Sequence, residues 1–261
     1  MRDGKILVVG ATGRVGGAAI EQLPKAGFEV RVLVRRAEKG ERLRSLGAGP
    51  GRGAPEMVEY RGNLNLLSAA RSAGVGRFVY SSVHLADHPL AQKVGAFREK
   101  ARFERELLTV EDVSSTILRP AIFMETLDMM IQGPVAFVPG RQRRPVSFIA
   151  ARDIARAAVR AFQADLQGRY ELAGPESLTF DDAFEHLGRG RRKGIRVLHV
   201  PLIAMRLYGR TSPYARELAN MMAFFDAVGF AADPAVLRDA FGISALTIEQ
   251  WASQGWQPGN D

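Results

Sequence analysis

The stretch that decides the fold lies near the amino terminus, from Val8 to Gly16, and reads VVGATGRVG. Its three glycines follow the spacing G-x-x-G-x-x-G between a strand-like run and a helical pattern. In that context Gly10 permits a tight turn, Gly13 lets the backbone approach a pyrophosphate, and Gly16 allows close packing of helix on strand. The helix N-terminus offers N–H groups and partial positive charge to the phosphates. We therefore predict a dinucleotide-binding turn made of Gly10, Ala11, Thr12, Gly13, Arg14, Val15 and Gly16.

Short apolar runs and helical patterns alternate around this turn. Strands are predicted at 5–9, 29–34, 77–81 and 115–118, and helices at 15–26, 38–46, 63–73 and around 100–108. Such alternation predicts an α/β fold, a doubly wound parallel sheet with helices on both faces.

The second half changes character. Strands are predicted at 135–138, 146–149 and 170–173, with helices capped by Asp153 and Thr179 and a mostly helical region from 201 to 251. This pattern predicts a smaller C-terminal α/β lobe.

The connection after the second strand is short. Residues 35 to 76 number 42, whereas the elements of a full dinucleotide-binding unit need about 60. Within it, residues 47–55 contain four glycines and two prolines, a composition that predicts a loop. Met57 to Tyr60 could form one short strand. We expect a Rossmann-type sheet that is shortened, and whether its cofactor site is complete stays open.

Composition excludes several classes of protein. Hydrophobic residues make up 46% and charged residues 25%, which indicates a folded globular chain. No apolar run approaches the roughly 18 residues of a membrane span, and no apolar signal segment precedes the first strand. The absence of cysteine excludes disulfides, thiolate nucleophiles and cysteine-ligated metals. We expect a cytoplasmic protein.

The net charge of +8 could serve nucleic acid, an anionic membrane surface or a phosphate-bearing small molecule. The densest clusters, at 35–36, 141–144 and 189–193, are spread along the chain. No basic helix interleaved with aromatic residues and no zinc finger is present. We therefore expect neither a nucleic-acid partner nor a membrane partner.

The residues after the second strand indicate the cofactor. NAD-binding folds usually place an acidic residue there to hold the ribose hydroxyls. Here Arg35 and Arg36 follow the strand, and guanidinium groups can bind a 2′-phosphate bidentately. The sequence predicts NADP, with NAD as the alternative.

Six segments carry a resemblance to a known family. They are GATGRVG at 10–16, NLLSAARSAGVGRFVYSS at 65–82, TILRP at 116–120, IFMET at 122–126, SFIAARDIA at 147–155 and YELAGPESLT at 170–179. Together they resemble the NmrA-like branch of the atypical (extended) short-chain dehydrogenase/reductase superfamily. The resemblance implies an NAD(P)-binding Rossmann domain at 1–150 and a substrate-binding lobe at 151–261, with interleaved chain contributions.

The resemblance also implies roles for single residues. By it, Gly10 to Val15 hold the pyrophosphate, and Arg35 is the basic residue beyond the second strand. The residues it places beside the nicotinamide and its ribose are Ser81, Ser82, Lys100, Pro120, Ile122 and Phe123.

One departure bears on catalysis. The Tyr-x-x-x-Lys pattern of short-chain dehydrogenases supplies a proton-donating tyrosine, but Ala96 stands four residues before Lys100. Lys100 is a candidate catalytic residue or, alternatively, a helix lysine paired with Glu104. His84 could donate the proton instead. Its spacing to His88 could suit a metal, but no third ligand stands out and none is predicted.

Family members include quinone and isoflavone-type reductases and also non-catalytic NADP sensors that regulate a protein partner. We predict an NADPH-dependent reductase acting on a small apolar or quinone-like acceptor. The alternative is a non-catalytic NADP(H) sensor, and a homodimer or a regulatory protein partner stays open.

Overall fold

A computed structural model describes residues 4–33, 49–51 and 58–254. Arg35, Arg36 and the predicted helix at 38–46 lie outside the described residues. The strands are β1 Lys5–Val9, β2 Glu29–Leu33, β3 Gly49–Gly51, β4 Arg77–Ser81, β5 Ser114–Pro120, β6 Ile122–Phe123, β7 Ile131–Gln132, β8 Val135–Pro139, β9 Val146–Ile149, β10 Gly168–Leu172, β11 Ser177–Leu178 and β12 Arg196–Val200.

The α-helices alternate with these strands and become more frequent toward the carboxyl end. They are α1 Arg14–Gln22, α2 Asn63–Ser72, α3 Gly95–Leu108, α4 Glu125–Met129, α5 Ala151–Ala164, α6 Phe180–Arg191, α7 Leu202–Tyr208, α8 Pro213–Val228, α9 Ala235–Phe241 and α10 Ile248–Ser253. None of the helices in the described part of the chain has both the length and the apolar character of a membrane span.

Within the described residues the strands form four small sheets, with strand orders β1-β2-β3, β10-β5-β4, β11-β9-β6 and β12-β8-β7. The pairs β1–β2 and β2–β3 are both parallel, with Lys5 opposite Glu29 and Arg31 opposite Gly49. The parallel strands β1 and β2 are joined through α1, as the alternating sequence pattern predicts. The predicted α/β class is confirmed.

The chain divides into two compact units. The first consists of residues 1–80, 103–118 and 151–169, and the second of residues 81–102, 119–150 and 170–261. Each unit is assembled from three separated pieces of chain, so the units interleave and a single boundary at residue 150 does not divide them.

The core of the first unit follows from the period of its strands. Side chains alternate along β1 and β2, so Ile6, Val8, Val30 and Val32 all point to one face. That face packs on α1 and α5, which contribute Ala19, Ile20, Ala155 and Val159. The glycine turn leads directly out of this core.

The core of the second unit is rich in aromatic side chains. Its buried members include Phe97, Phe148, Phe180, Phe184, Phe224, Phe225, Phe230 and Trp251. The rings of Phe225 and Phe230 lie with centroids 4.7 Å apart, and Phe97 stacks on Phe230. Aromatic burial of this extent stabilises a lobe that has only short strands.

The glycine-rich connection differs from its prediction. Gly49–Gly51, expected to be loop, forms β3 beside β2, and the expected strand at Met57–Tyr60 is wrong because Val58–Gly62 is a helical turn. A three-residue strand at the edge of a sheet needs only backbone pairing, and Pro50 is tolerated at an edge. Because β3 reads GPG, it has no pattern of apolar side chains from which a strand could be predicted.

The predicted helix caps have different outcomes. Thr179 caps α6 in a capping box with Asp182, which confirms that prediction. Asp153 lies within the first turn of α5 rather than before it, since the helix begins at Ala151, and its buried carboxylate pairs with Arg156 at 3.0 Å.

Candidate functional site

The glycine turn of the first unit is built around a close backbone approach. Gly10 has a φ of +74°, and its carbonyl accepts a 2.8 Å hydrogen bond from the N–H of Gly13. A Cβ at Gly16 would stand only 2.2 Å from the Gly10 carbonyl oxygen, and one at Gly13 would stand 3.2 Å from the same atom. Only glycine fits at Gly16 without moving the turn or the helix.

The start of α1 is open to an anion. Its N-cap residue, Gly13, offers no side-chain cap, and no acidic residue lies in the first turn. Thr12, Gly13 and Arg14 are exposed. A nine-residue helix that begins on an exposed glycine turn presents backbone N–H groups and positive partial charge. These residues fit a pyrophosphate.

In the second unit, two candidate residues meet at the carboxyl end of β4. The Lys100 ammonium on α3 donates a 3.2 Å hydrogen bond to the Ser81 carbonyl. The neighbouring residue Ser82 is only 5% exposed, and its buried hydroxyl has no hydrogen-bond partner among the described residues. A buried hydroxyl without a partner is costly unless a bound molecule satisfies it, and ligands bind at the carboxyl ends of α/β strands. Ser82 therefore fits a cofactor contact.

The other predicted cofactor residues of this unit differ in how accessible their side chains are. The Pro120 carbonyl accepts from the His84 N–H at 2.9 Å. Ile122 is packed in the aromatic core, whereas Phe123 is half-buried and its carbonyl accepts from the Thr126 hydroxyl at 2.6 Å. Phe123 thus has an accessible side chain, and Ile122 is committed to packing.

His84 is held in a way that favours a structural role. Its residue is 5% exposed, with Nδ1 2.6 Å from a Glu171 carboxylate oxygen and Nε2 3.1 Å from the Ala231 carbonyl. Its ring also packs edge-on against Phe230. Both ring nitrogens are engaged by protein acceptors, so neither is free to deliver a proton to a substrate. The geometry does not support the proton-donor hypothesis.

An ionic cluster that the sequence analysis missed surrounds His84. The buried Arg119 guanidinium donates to Glu171 at 2.9 Å and to Asp87 at 2.6 Å. Burial by itself raises the pKa of the Glu171 carboxyl, but hydrogen bonds and positive charge from His84 and Arg119 outweigh it and lower that pKa. The cluster ties β5, β10 and the segment after β4 together.

A signal for this cluster does exist in the sequence. Arg119 interrupts the apolar strand segment TILRP, and a charged residue in a buried strand is rarely without a partner. Its partners, however, are 32 and 52 residues away, which no local pattern shows.

His88, the second histidine of the predicted loop, hydrogen-bonds to the backbone close to it in sequence. His88 Nδ1 accepts from the Leu90 N–H at 3.2 Å and caps the short 3-10 turn Pro89–Lys93. Among residues 4–33, 49–51 and 58–254, no group of three or more potential metal ligands comes together.

We expect the Glu171 carboxylate to stabilise the protein in a pH-dependent way. Because its pKa is lowered on folding, its contribution is present above the ordinary carboxyl pKa and is lost as pH falls through the folded value. Glu171→Gln should lower the free energy of unfolding by about 1–2 kcal/mol at neutral pH, since the carboxylate is one-third exposed. Denaturant titrations from about pH 7 to about pH 3 should show this difference shrinking.

The matched control is Glu185→Gln, which removes an exposed carboxylate paired with Arg189. It should change the unfolding free energy by less than about 0.5 kcal/mol at every pH. An equal effect of the two substitutions would contradict the role assigned to Glu171.

Comparison with known proteins places this geometry in a family. The NmrA-like family model matches residues 2–49 and 56–252. The chain is 25% identical to the photosystem II assembly factor Ycf39 of a Synechocystis strain, over 96% of this chain and 90% of that one. It is 32% identical to agroclavine dehydrogenase of Claviceps fusiformis, over 67% of this chain and 59% of that one.

Among solved structures, the NADPH-dependent quinone oxidoreductase QOR2 of Escherichia coli, in complex with NADPH, superposes with a TM-score of 0.79. The two chains are 20% identical, with 95% of this chain and 98% of that one covered. The cofactor predicted from the sequence is the one bound in that neighbour.

The alignment with Ycf39 also shows that this chain is shorter than that relative over the matched length. It spans 297 positions, and 96% of 261 residues is about 251, so about 46 positions hold no residue of this chain. The family match is interrupted at residues 50–55, within the connection whose length predicted a shortened sheet. With nearly its whole length matched apart from that interruption, the chain belongs to the NmrA-like family.

Proposed function

We propose that this chain is an NADPH-dependent reductase of the atypical short-chain class, acting in the cytoplasm on a small apolar or quinone-like acceptor. The observation that carries the proposal is the glycine turn, where Gly16 has no room for a side chain and α1 begins uncapped and exposed. The NADPH-bound quinone oxidoreductase of similar fold supports the choice of cofactor and of acceptor class.

The proposed cofactor contacts are the ones that the sequence and the family resemblance predict. Backbone groups of Gly10 to Val15 bind the pyrophosphate, with Gly16 allowing the close packing that positions them. Arg35 and Arg36 bind the 2′-phosphate, and Lys100 binds the ribose. The remaining contacts come from Ser81, Ser82, Pro120, Phe123 and the backbone of Ile122.

Bound NADPH would supply the hydride, and the chain would orient it and exclude water. Neither the tyrosine position, occupied by Ala96, nor His84 offers a free proton donor. Quinones need less acid assistance than simple carbonyls, because their reduction spreads charge over an aromatic ring. The absence of a donor at these two positions therefore favours a quinone-like acceptor.

The second candidate is a non-catalytic NADP(H) sensor that regulates or assembles a protein partner. The missing tyrosine favours it, and so does the 25% identity with an assembly factor along most of both chains. It requires the same glycine turn, so cofactor binding alone does not separate the two candidates.

Substitution at Gly16 tests the turn. We expect Gly16→Ala to weaken NADPH binding by about 10-fold or more, because the added methyl forces the Gly10 carbonyl away from its position. Isothermal titration calorimetry measures the change. Gly17→Ala is the matched control, since its Cβ would lie 3.6 Å from the Ala11 carbonyl oxygen, at ordinary contact distance. Equal affinities of the two variants, both folded by circular dichroism, would contradict the assignment.

Cofactor preference tests the arginine pair. We expect wild-type protein to bind NADP⁺ more tightly than NAD⁺, and Arg35→Ala to reduce this preference by about 10-fold, because a charged hydrogen bond to the 2′-phosphate is lost. The same calorimetric titrations give both constants. Arg61→Ala, at an exposed arginine of the first unit, should leave the preference unchanged. If NAD⁺ binds as well as NADP⁺, the two arginines have another role.

Turnover separates the enzyme from the sensor. NADPH oxidation with a panel of benzoquinones and naphthoquinones should show steady-state turnover, and Lys100→Met should raise the KM for NADPH by about 10-fold. Lys25→Met removes an exposed lysine elsewhere and should change neither parameter. Tight NADPH binding without turnover on any quinone would support the sensor instead.

A further inference from the structure

One end of the sheet β12-β8-β7 collects positive charge and exposed apolar side chains. Strands β8 and β12 are parallel, and Pro139 stands opposite Val200 at their carboxyl ends. The loop 140–145 leaves β8 at this end, and α7 leaves β12 at the same end. The two segments touch where Leu202 lies against Gly140.

The loop displays three arginines around one buried residue. Arg141, Arg143 and Arg144 are exposed, whereas Gln142 is 2% exposed and has a left-handed φ of 46°. The Gln142 amide donates to the Pro139 carbonyl at 2.9 Å and to the Met222 carbonyl at 2.8 Å. With its central side chain buried, the loop directs its arginines outward.

The loop is also fixed at both ends. The Gly140 carbonyl accepts from His199 Nδ1 at 2.6 Å, and the Gly140 N–H donates to the Val200 carbonyl at 2.9 Å. At the other end the Pro145 carbonyl accepts from the Phe230 N–H at 3.1 Å. The left-handed backbone conformation of Gln142 costs free energy because the residue is not glycine, and these hydrogen bonds hold the loop in that conformation.

These three arginines lack the carboxylates that other arginines of the unit have. Arg119, Arg189 and Arg191 each pair with an acidic side chain. Arg141, Arg143 and Arg144 have neither an ion pair nor a hydrogen bond to any residue in the described part of the chain. The Asp181 carboxylate is engaged elsewhere, since one of its oxygens lies 3.0 Å from His199 Nε2.

Helix α7 adds an apolar component to this end of the sheet. Ile203 and Leu207 are 63% and 52% exposed and lie one turn apart, on the same face of the helix. Arg206 and Arg210 are exposed beside them. Side chains exposed by more than half project outward rather than line a groove.

We propose that this surface, the arginine edge, binds the headgroups of an anionic lipid bilayer. It consists of Arg141, Arg143, Arg144, Ile203, Arg206, Leu207 and Arg210. Guanidinium groups match phosphate bidentately, and aliphatic side chains beside basic ones enter the boundary between headgroups and acyl chains on interfacial helices. The +8 net charge adds long-range attraction.

Surface binding of this kind requires no spanning helix. It departs from the expectation of no membrane partner, which rested on the spread of the basic clusters along the sequence. An acidic protein partner would meet the same guanidiniums, but the projecting aliphatic side chains and the spread of five arginines over two segments fit an extended surface better than a single peptide.

Vesicle co-sedimentation of the full chain tests the proposal. Vesicles of phosphatidylcholine with about one quarter phosphatidylglycerol should bind the protein at about 50 mM salt, and binding should weaken strongly at about 500 mM. Vesicles of phosphatidylcholine alone should bind little. Each arginine near an anionic surface contributes about five-fold to the binding constant, so the triple variant Arg141→Gln, Arg143→Gln, Arg144→Gln should bind about 100-fold more weakly.

A second triple variant provides the matched control. Arg61→Gln, Arg105→Gln, Arg160→Gln removes the same charge from exposed positions of the first unit and should retain most of the affinity. Ile203→Ser with Leu207→Ser should weaken binding even at low salt. NADPH affinity should stay unchanged in the loop variant, so failure here is distinguishable from failure of the proposed function.

Three results would overturn the proposal. The first is that wild-type protein does not bind anionic vesicles. The second is that the two triple variants lose affinity equally, which would show an effect of net charge alone. Poly-L-glutamate could also bind more tightly than the vesicles through the same three arginines, which would identify the edge as a site for an acidic protein.

Discussion

The close approach of Gly16 to the Gly10 carbonyl is the constraint on which the first unit depends. It lets α1 begin directly over the end of β1, so that Ala19 and Ile20 reach the apolar face of the strands. The same approach leaves the first turn of the helix exposed and uncapped. Core packing and the proposed phosphate recognition therefore share one steric requirement, and a side chain at Gly16 would disturb both.

Local features of this fold could be predicted from the sequence, and pairing between distant segments could not. Strand β9 and the Thr179 cap depend on neighbouring residues, and both are found where predicted. Strand β3 is defined by backbone hydrogen bonding to β2 within a glycine-rich stretch, so it has no side-chain signature. The helical turn at Val58–Gly62 could not be predicted either, because so short an apolar stretch is compatible with a strand and with a helix.

The site shows the same division. The glycine spacing contained enough information to place the turn, because the chemistry and the local structure coincide there. His84 was a reasonable proton donor by position, since it follows a strand at the carboxyl edge. Only the folded chain brings Glu171 and Ala231 to its two ring nitrogens, from 87 and 147 residues away. Burial and hydrogen bonding then turn a candidate acid into part of the framework that orders the segment after β4.

With alanine at position 96 and both ring nitrogens of His84 engaged, the choice of acceptor becomes the decisive question. A reductase without an acid must rely on orientation and on an acceptor whose reduced form is stable by itself. A sensor needs no donor at all, since it uses only the difference in affinity between cofactor states. Lys100 is informative here, because its ammonium is held at the Ser81 carbonyl beside the Ser82 hydroxyl, which has no hydrogen-bond partner in the described part of the chain. A cofactor contact at this hydroxyl would suit either proposed function, so only an acceptor that completes the reaction distinguishes an enzyme from a sensor.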